Sequence, residues 1–213
     1  MSDPVNDLRL AMRAVSDGTG GALRGVVSRY ALRGSALEFV EEFLCPLLRR
    51  IGDGWIQGGL GVAEEHLASQ VLRDVLGEVT WAARPDPPAP GLLCTTPPDQ
   101  RHEFGALIAA YVACHAEWRA VYAGPDLPLA EVARLASGHE AVALSILQPP
   151  SQEGVRGDLE ELRQAVSPQN PIYVGGRPEV LAAARAVEGV TGLASFTEFS
   201  RALQAERNGP RRP

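Results

Sequence analysis

The sequence predicts an all-helical first unit, a proline-rich linker, and a second unit built on a parallel sheet. Three observations predict this. From Val5 to about Ala83 apolar residues recur at three- and four-residue steps, interrupted by one proline, Pro46. Residues Ala83 to Gly91 hold four prolines in nine positions, which makes neither helix nor sheet ladder and marks a domain boundary at 84–91. Beyond it, short apolar runs alternate with amphipathic ones five times.

The helical unit, residues 1–83, reads as a four-helix bundle. Asp3-Pro4 opens the first helix, with Val5, Leu8, Met12 and Val15 on one stripe and Gly18-Thr19-Gly20-Gly21 at its end. The second runs from about Ala22 to Leu32 and closes at Gly34. Ser35 caps the third, with Glu38 completing a capping box. Pro46 should kink this helix or start a new segment. It ends at the glycine-rich run from Gly52 to Gly61, and the fourth helix runs from about Val62 to Trp81.

In the second unit, residues 92–213, the predicted strands are Leu92–Thr95, Trp118–Tyr122, Ala141–Leu147, Ile172–Val174 and Leu193–Phe196. The helices between and after them are His102–Ala116, Leu129–Ala136, Leu159–Val166, Glu179–Val187 and Glu198–Glu206. Five such units predict a flavodoxin-like (Rossmann-type) five-stranded parallel sheet of order 2-1-3-4-5. That order sets strands one, three and four side by side, so the loops at their carboxyl ends converge.

Those loops carry the candidate site. His102 follows strand one in Thr96-Pro97-Pro98-Asp99-Gln100-Arg101-His102-Glu103-Phe104-Gly105. An imidazole there is a metal ligand, a general base or a hydrogen-bonded loop residue. Gly105 would let the backbone approach whatever His102 holds. Ser145-Ile146-Leu147 ends strand three, and Gly175-Gly176 follows strand four, leaving a side-chain-free gap for a flat group.

Composition excludes other classes. The chain has 213 residues, 45% hydrophobic, with a formal net charge of -6. It carries no long basic run, which argues against direct nucleic-acid binding, the short tail Arg207 to Arg212 apart. No apolar stretch approaches the roughly 18 residues that span a membrane, and Met1-Ser2-Asp3-Pro4 is no secretory signal. Cys45, Cys94 and Cys114 read as buried free thiols of a cytoplasmic protein. His115 and His139 lie at helix ends and carry no assigned role.

The pattern His-x-x-Gly, then Ser-x-Leu, then Gly-Gly resembles cobalamin-binding domains from about Leu92 onward. The resemblance implies that His102 is the lower axial ligand of cobalt. It also implies that the displaced dimethylbenzimidazole tail threads past Ser145, Leu147 and Gly175-Gly176. Imidazole is a cobalt-compatible donor, and its second nitrogen wants an acceptor. Family members carry an acid two residues before the histidine, where this chain has Gln100, with Asp99 beside it.

Trp55, nine residues and then Glu65-His66 resemble the sensory region of light-sensing adenosylcobalamin repressors of the MerR type. By that resemblance Trp55 packs on the upper adenosyl group, and Glu65 and His66 contact its sugar or nearby groups. Glu65, Ser69 and Leu72 share one helix face, and Gly58, Gly59 and Gly61 let the turn pass close to a ligand. Those repressors often carry a histidine directly after the tryptophan; here that residue is Ile56, and His66 is the other candidate for the upper cobalt position.

The resemblance implies a cobalamin-dependent photoreceptor that catalyses no turnover. Its helical unit caps the upper cofactor face, and the chain assembles as a dimer or tetramer that signals to an output protein. A stand-alone chain of this kind also looks like the photocobilins, which add a bilin such as biliverdin, here held non-covalently. Two rivals are a corrinoid methyl carrier and a regulator without cobalamin. The non-basic Ala106 and the Trp55…Glu65-His66 pattern speak against the first.

Overall fold

The computed structural model describes residues 4–148 and 151–209. Asp3 and the arginines beyond Gly209 lie outside the described residues. The chain divides into two compact units, the first ending at Ala82 and the second starting at Ala83.

The first unit consists of α1 (Pro4–Ser16), α2 (Gly20–Ala31), α3 (Ala36–Glu38), a π-helical segment (Phe39–Leu44), α4 (Cys45–Ile56) and α5 (Val62–Ala83). Ser35 and Glu38 form the capping box: the Glu38 amide donates to the Ser35 hydroxyl at 3.2 Å, and the Ser35 amide to the Glu38 carboxylate at 2.7 Å. Pro46 is the expected irregularity. It has no N–H to give and sits in the first turn of α4. The chain before it winds wider, with the Cys45 amide donating to the Val40 carbonyl five residues back.

The core of this unit is apolar. Phe39, Val40, Phe43, Leu44, Leu47 and Leu72 are all fully buried, and Tyr30 stacks on Phe43 at 4.4 Å. The Arg24 guanidinium bridges α2 to Glu78 on α5. The glycines at 52 and 54 do not end α4. It continues to Ile56 and turns at Gly58 (φ +73°), where the Gly59 amide bonds back to the Gly54 carbonyl at 2.8 Å.

Between α5 and the sheet the prolines do not stay extended. Residues 86–89 make a turn, closed by the Ala89 amide on the Asp86 carbonyl at 3.2 Å. The second unit follows as β1 (Gly91–Thr95), α6 (Phe104–His115), β2 (Arg119–Tyr122), α7 (Leu129–Ala136), β3 (Ala141–Ile146), α8 (Gln152–Ala165), β4 (Ile172–Gly176), α9 (Pro178–Arg185), β5 (Val190–Leu193) and α10 (Phe196–Asn208).

The strands are all parallel in the order β2-β1-β3-β4-β5, the flavodoxin-like order the alternation predicts. One sheet face packs Val142, Leu144, Ile146, Ile172 and Val174 against Val132, Val155, Leu159 and Val180 of α7, α8 and α9. The other face meets α6 and α10: Tyr173 of β4 lies edge-on to Phe199 of α10 at 5.8 Å.

Several boundaries differ from expectation, four of them with a consequence for the site or a clear local cause. The helix after strand one begins at Phe104, which leaves His102 in the loop. α8 begins at Gln152, seven residues earlier than predicted, because Ser151 caps it through the Gly154 amide at 2.9 Å and Gly154 and Gly157 are accommodated within it. The diglycine lies inside β4 and not after it. β5 is Val190–Leu193, because Ser195 caps α10 and Phe196 is its first residue.

No helix among the described residues is long and apolar enough to cross a membrane. The three cysteines are free, and Cys94 and Cys114 are buried as expected, whereas Cys45 is only partly so.

Candidate functional site at the carboxyl edge of the sheet

The loop from Thr96 to Glu103 connects the inner strand β1 to α6, and short-range physics fixes both its ends. The Thr95 hydroxyl donates to the Gly124 carbonyl at 2.7 Å. The Thr96 hydroxyl accepts from the Asp126 amide at 2.8 Å and donates to the Gln100 carbonyl. The Asp126 carboxylate in turn accepts from the amide of Asp99, which adopts the left-handed region at φ 64°. The loop after β1 is thus bonded to the loop after β2.

Gln100 is buried and its carboxamide makes three hydrogen bonds. Its oxygen accepts from the amides of Leu147 (3.1 Å) and Gln148 (3.0 Å), and its nitrogen donates to the Gln148 carbonyl (2.8 Å). It therefore ties the loop after β1 to the loop after β3, and its amide oxygen is not turned to His102. Glu103, on the other side of His102, accepts a hydrogen bond from the Tyr122 hydroxyl at the end of β2.

His102 stands between these two anchors. Its side chain is exposed, and among the described residues its ring makes no hydrogen bond or ion pair. Both ring nitrogens are available to an incoming group, on a backbone pinned two residues before and one residue after.

Gly105, in the first turn of α6, faces Ser145. A β-carbon there would lie 3.0 Å from the Ser145 β-carbon and overlap its hydroxyl. The glycine thus serves the contact of helix with strand. Ser145 pairs with Gly175 and Ile146 with Gly176 across β3 and β4. By strand alternation Ser145 and Gly175 share one sheet face. A β-carbon on Gly175 meets nothing within 4 Å, whereas one on Gly176 would lie 2.9 Å from Val180 Cγ1 and overlap the Ile146 carbonyl. The two adjacent glycines differ: Gly176 is needed for packing and Gly175 leaves open space. Leu147 lies one residue past β3, held by Gln100 through its amide.

The predicted residues of the helical unit lie around the turn from α4 to α5. Trp55 is in the last turn of α4 and 53% exposed, with Ile56 exposed beside it. Glu65, Ser69 and His66 form one hydrogen-bonded group. The Ser69 hydroxyl donates to one Glu65 oxygen at 2.6 Å, and His66 Nδ1 lies 2.6 Å from the other. Partial burial pushes the Glu65 carboxyl up, but the bonds from Ser69 and His66 outweigh it and leave the group below the usual carboxylate range. Leu72, on the same face, is fully buried.

His139 is satisfied locally, with Nδ1 2.8 Å from the Leu135 carbonyl, and His115 lies edge-on to Tyr111 at 4.7 Å. Among the described residues no cluster of three or more His, Cys, Asp or Glu side chains could hold a metal ion. A cobalt ion carried within its own macrocycle needs only one protein donor. A lone exposed imidazole on an anchored loop fits such a group.

Sequence reasoning missed Tyr122, Gln148 and Asp126. Their partners lie 19 to 48 residues away in the chain, and no local spacing announces them.

Comparison with known proteins identifies the family. A family model described as a B12 binding domain matches residues 9–80. The HTH-type transcriptional repressor CarH of Myxococcus xanthus is 36% identical over 142 residues, covering 66% of this chain and 47% of the relative. The repressor CarA of the same organism is 33% identical over 182 residues, covering 82% of this chain and 60% of the relative. The chain thus spans about half to three fifths of the length of these relatives.

Among solved structures, the monomethylamine corrinoid protein of Methanosarcina barkeri superposes with a TM-score of 0.71 at 14% identity, over 91% of this chain and 95% of that one. The methanol:cobalamin methyltransferase complex MtaBC from Methanosarcina barkeri gives 0.51 at 10% identity, over 96% and 81%. At such identities these likenesses establish the fold alone.

Proposed function

Since the chain belongs to the cobalamin-binding family of the CarH and CarA repressors, we propose that it is a cobalamin-dependent light sensor with His102 as the lower axial ligand. The observation that carries this reading is the His102 ring, exposed and without a hydrogen bond among the described residues, on a loop anchored at both sides. The open position at Gly175, on the sheet face of Ser145, supports a slot for the nucleotide tail.

Adenosylcobalamin, when bound, would supply a cobalt–carbon bond that light cleaves. The helical unit offers the upper-face residues. Trp55 presents an exposed indole, and Glu65, oriented by Ser69, presents a carboxylate to ribose hydroxyls. Losing the upper group would remove the contacts these side chains make with it, and the helical unit would relax to a second state with altered assembly. His66 engages Glu65 through Nδ1, and its Nε2 would be the nitrogen donor that Ile56 cannot supply. The output is association with copies of this chain and with a protein partner, with no turnover on the chain itself. A bilin such as biliverdin, if carried, is held without a covalent bond.

The test is the absorption spectrum of protein loaded with adenosylcobalamin and biliverdin, in the dark and after green light, beside His102→Ala. The expected result is a light-dependent change in the wild type and loss of the base-off, histidine-ligated spectrum in the variant. A distinct red band marks the bilin. Uptake of methylcobalamin without a light response would replace this reading with that of a methyl carrier. Failure to take up any cobalamin would end it.

A further inference from the structure

We propose that Gln100 is a positioning residue for the nucleotide-tail slot, holding the loop after β3 open through Leu147 and Gln148, and that it does not act as an acceptor for the His102 ring. It rests on the cobalamin reading above and goes beyond it, because it assigns Gln100 a target in a different loop.

The geometry carries the assignment. A carboxamide has one oxygen with two lone pairs and one nitrogen with two hydrogens. In Gln100 both lone pairs of the oxygen are taken by the amides of Leu147 and Gln148, and the nitrogen is taken by the Gln148 carbonyl. All three partners are backbone, so the bonds fix the path of the chain and not the pose of one side chain. The residue is buried, so water does not replace these bonds when they are lost.

The clamped residues begin two positions after Ser145, which faces the same side of the sheet as the open Gly175. A shift of the loop at 147–148 would therefore move the wall of the slot. His102, by contrast, is exposed and makes no bond to Gln100. A carboxylate at position 100 could not reproduce this arrangement. It would offer only acceptors to a site that needs a donor for the Gln148 carbonyl.

The experiment compares hydroxocobalamin, which carries the tail, with cobinamide, which lacks it, on wild type and Gln100→Met in the full chain. The wild type is expected to bind hydroxocobalamin more tightly than cobinamide. Gln100→Met is expected to lower hydroxocobalamin affinity by about tenfold or more while cobinamide affinity stays within about twofold. Amide exchange at Leu147 and Gln148 is expected to quicken in the variant. An equal loss for both ligands, or no loss for either, would overturn the assignment.

If Gln100→Met does not fold, Gln100→Glu keeps the side-chain length and the accepting oxygen, replaces the donor to Gln148 with a charged oxygen facing that carbonyl, and is read by the same tail-specific criterion. A wild type that binds neither ligand, or both alike, would instead overturn the cobalamin or tail-slot reading on which the assignment rests.

Discussion

Gly105 and Ser145 touch so closely that helix α6 can approach strand β3 only because residue 105 has no side chain: a β-carbon there would sit 3.0 Å from that of Ser145 and overlap its hydroxyl. The glycine of the His-x-x-Gly pattern thereby has a packing role in the fold. It lets the first turn of α6 lie against the carboxyl end of β3, and the loop carrying His102 ends at that contact.

Gly105→Ala is therefore expected to destabilise the second unit by about 1–3 kcal/mol, the usual cost of overpacking a tight contact. Ser145→Gly in the same chain removes the obstructing side chain and should recover most of that loss. The two changes would then be strongly non-additive in urea unfolding. Additive losses would show that the contact does not limit the packing.

The cysteines predict how a bilin is held. Burial raises the Cys45 thiol to about 11, and burial also raises Cys94 and Cys114. At pH 8 only about a thousandth of Cys45 is thiolate, the form that attacks an electrophile. Iodoacetamide should label the folded chain slowly, with a rate that climbs toward pH 11. Any bilin taken up should separate from the polypeptide on a denaturing gel, and bilin fluorescence that stays with the protein band would contradict this.

The capping box sets a pH dependence. Bonds from the Ser35 amide and then its hydroxyl hold the Glu38 carboxyl below the usual carboxylate range. A carboxylate depressed in the folded state stabilises above its unfolded value, near 4.3. That contribution is lost as pH falls through the folded value. The advantage of wild type over Glu38→Gln in the helical unit should be constant from about pH 7 to 5 and vanish at lower pH. Ser35→Ala should cost about 1 kcal/mol at pH 7. Urea midpoints measured across this range test both.

Much of the fold is legible in the sequence because one-dimensional periodicity carries it. The alternation after Gly91 implies the sheet order, and Ser35 with Glu38 announces a helix start that the structure contains. The failures have local causes. Gly154 and Gly157 dilute the helical pattern of α8, and Gly192 in β5 lies against the Leu181 backbone, which hides a strand where an apolar residue would have shown it. The site is legible only as a set of loop ends. That Gln100 serves Leu147 and Gln148, and that Tyr122 serves Glu103, depends on tertiary proximity across at least 19 residues.

The adjacent glycines of β4 separate folding from binding. A β-carbon on Gly176 would lie 2.9 Å from Val180 Cγ1 and overlap the Ile146 carbonyl, which is backbone and cannot swing away. Gly176→Ala should cost about 1–3 kcal/mol by forcing β4 away from its neighbours. A β-carbon on Gly175 meets nothing within 4 Å, and valine suits a strand better than glycine. Gly175→Val should therefore leave stability unchanged or slightly raised. Its side chain would project on the face shared with Ser145, where the nucleotide tail is proposed to lie. Hydroxocobalamin should then bind at least about tenfold more weakly, while cobinamide, which has no tail to place, keeps its affinity. If Gly175→Val binds hydroxocobalamin as the wild type does, the open position is not the slot, and the tail must be sought elsewhere along the sheet edge.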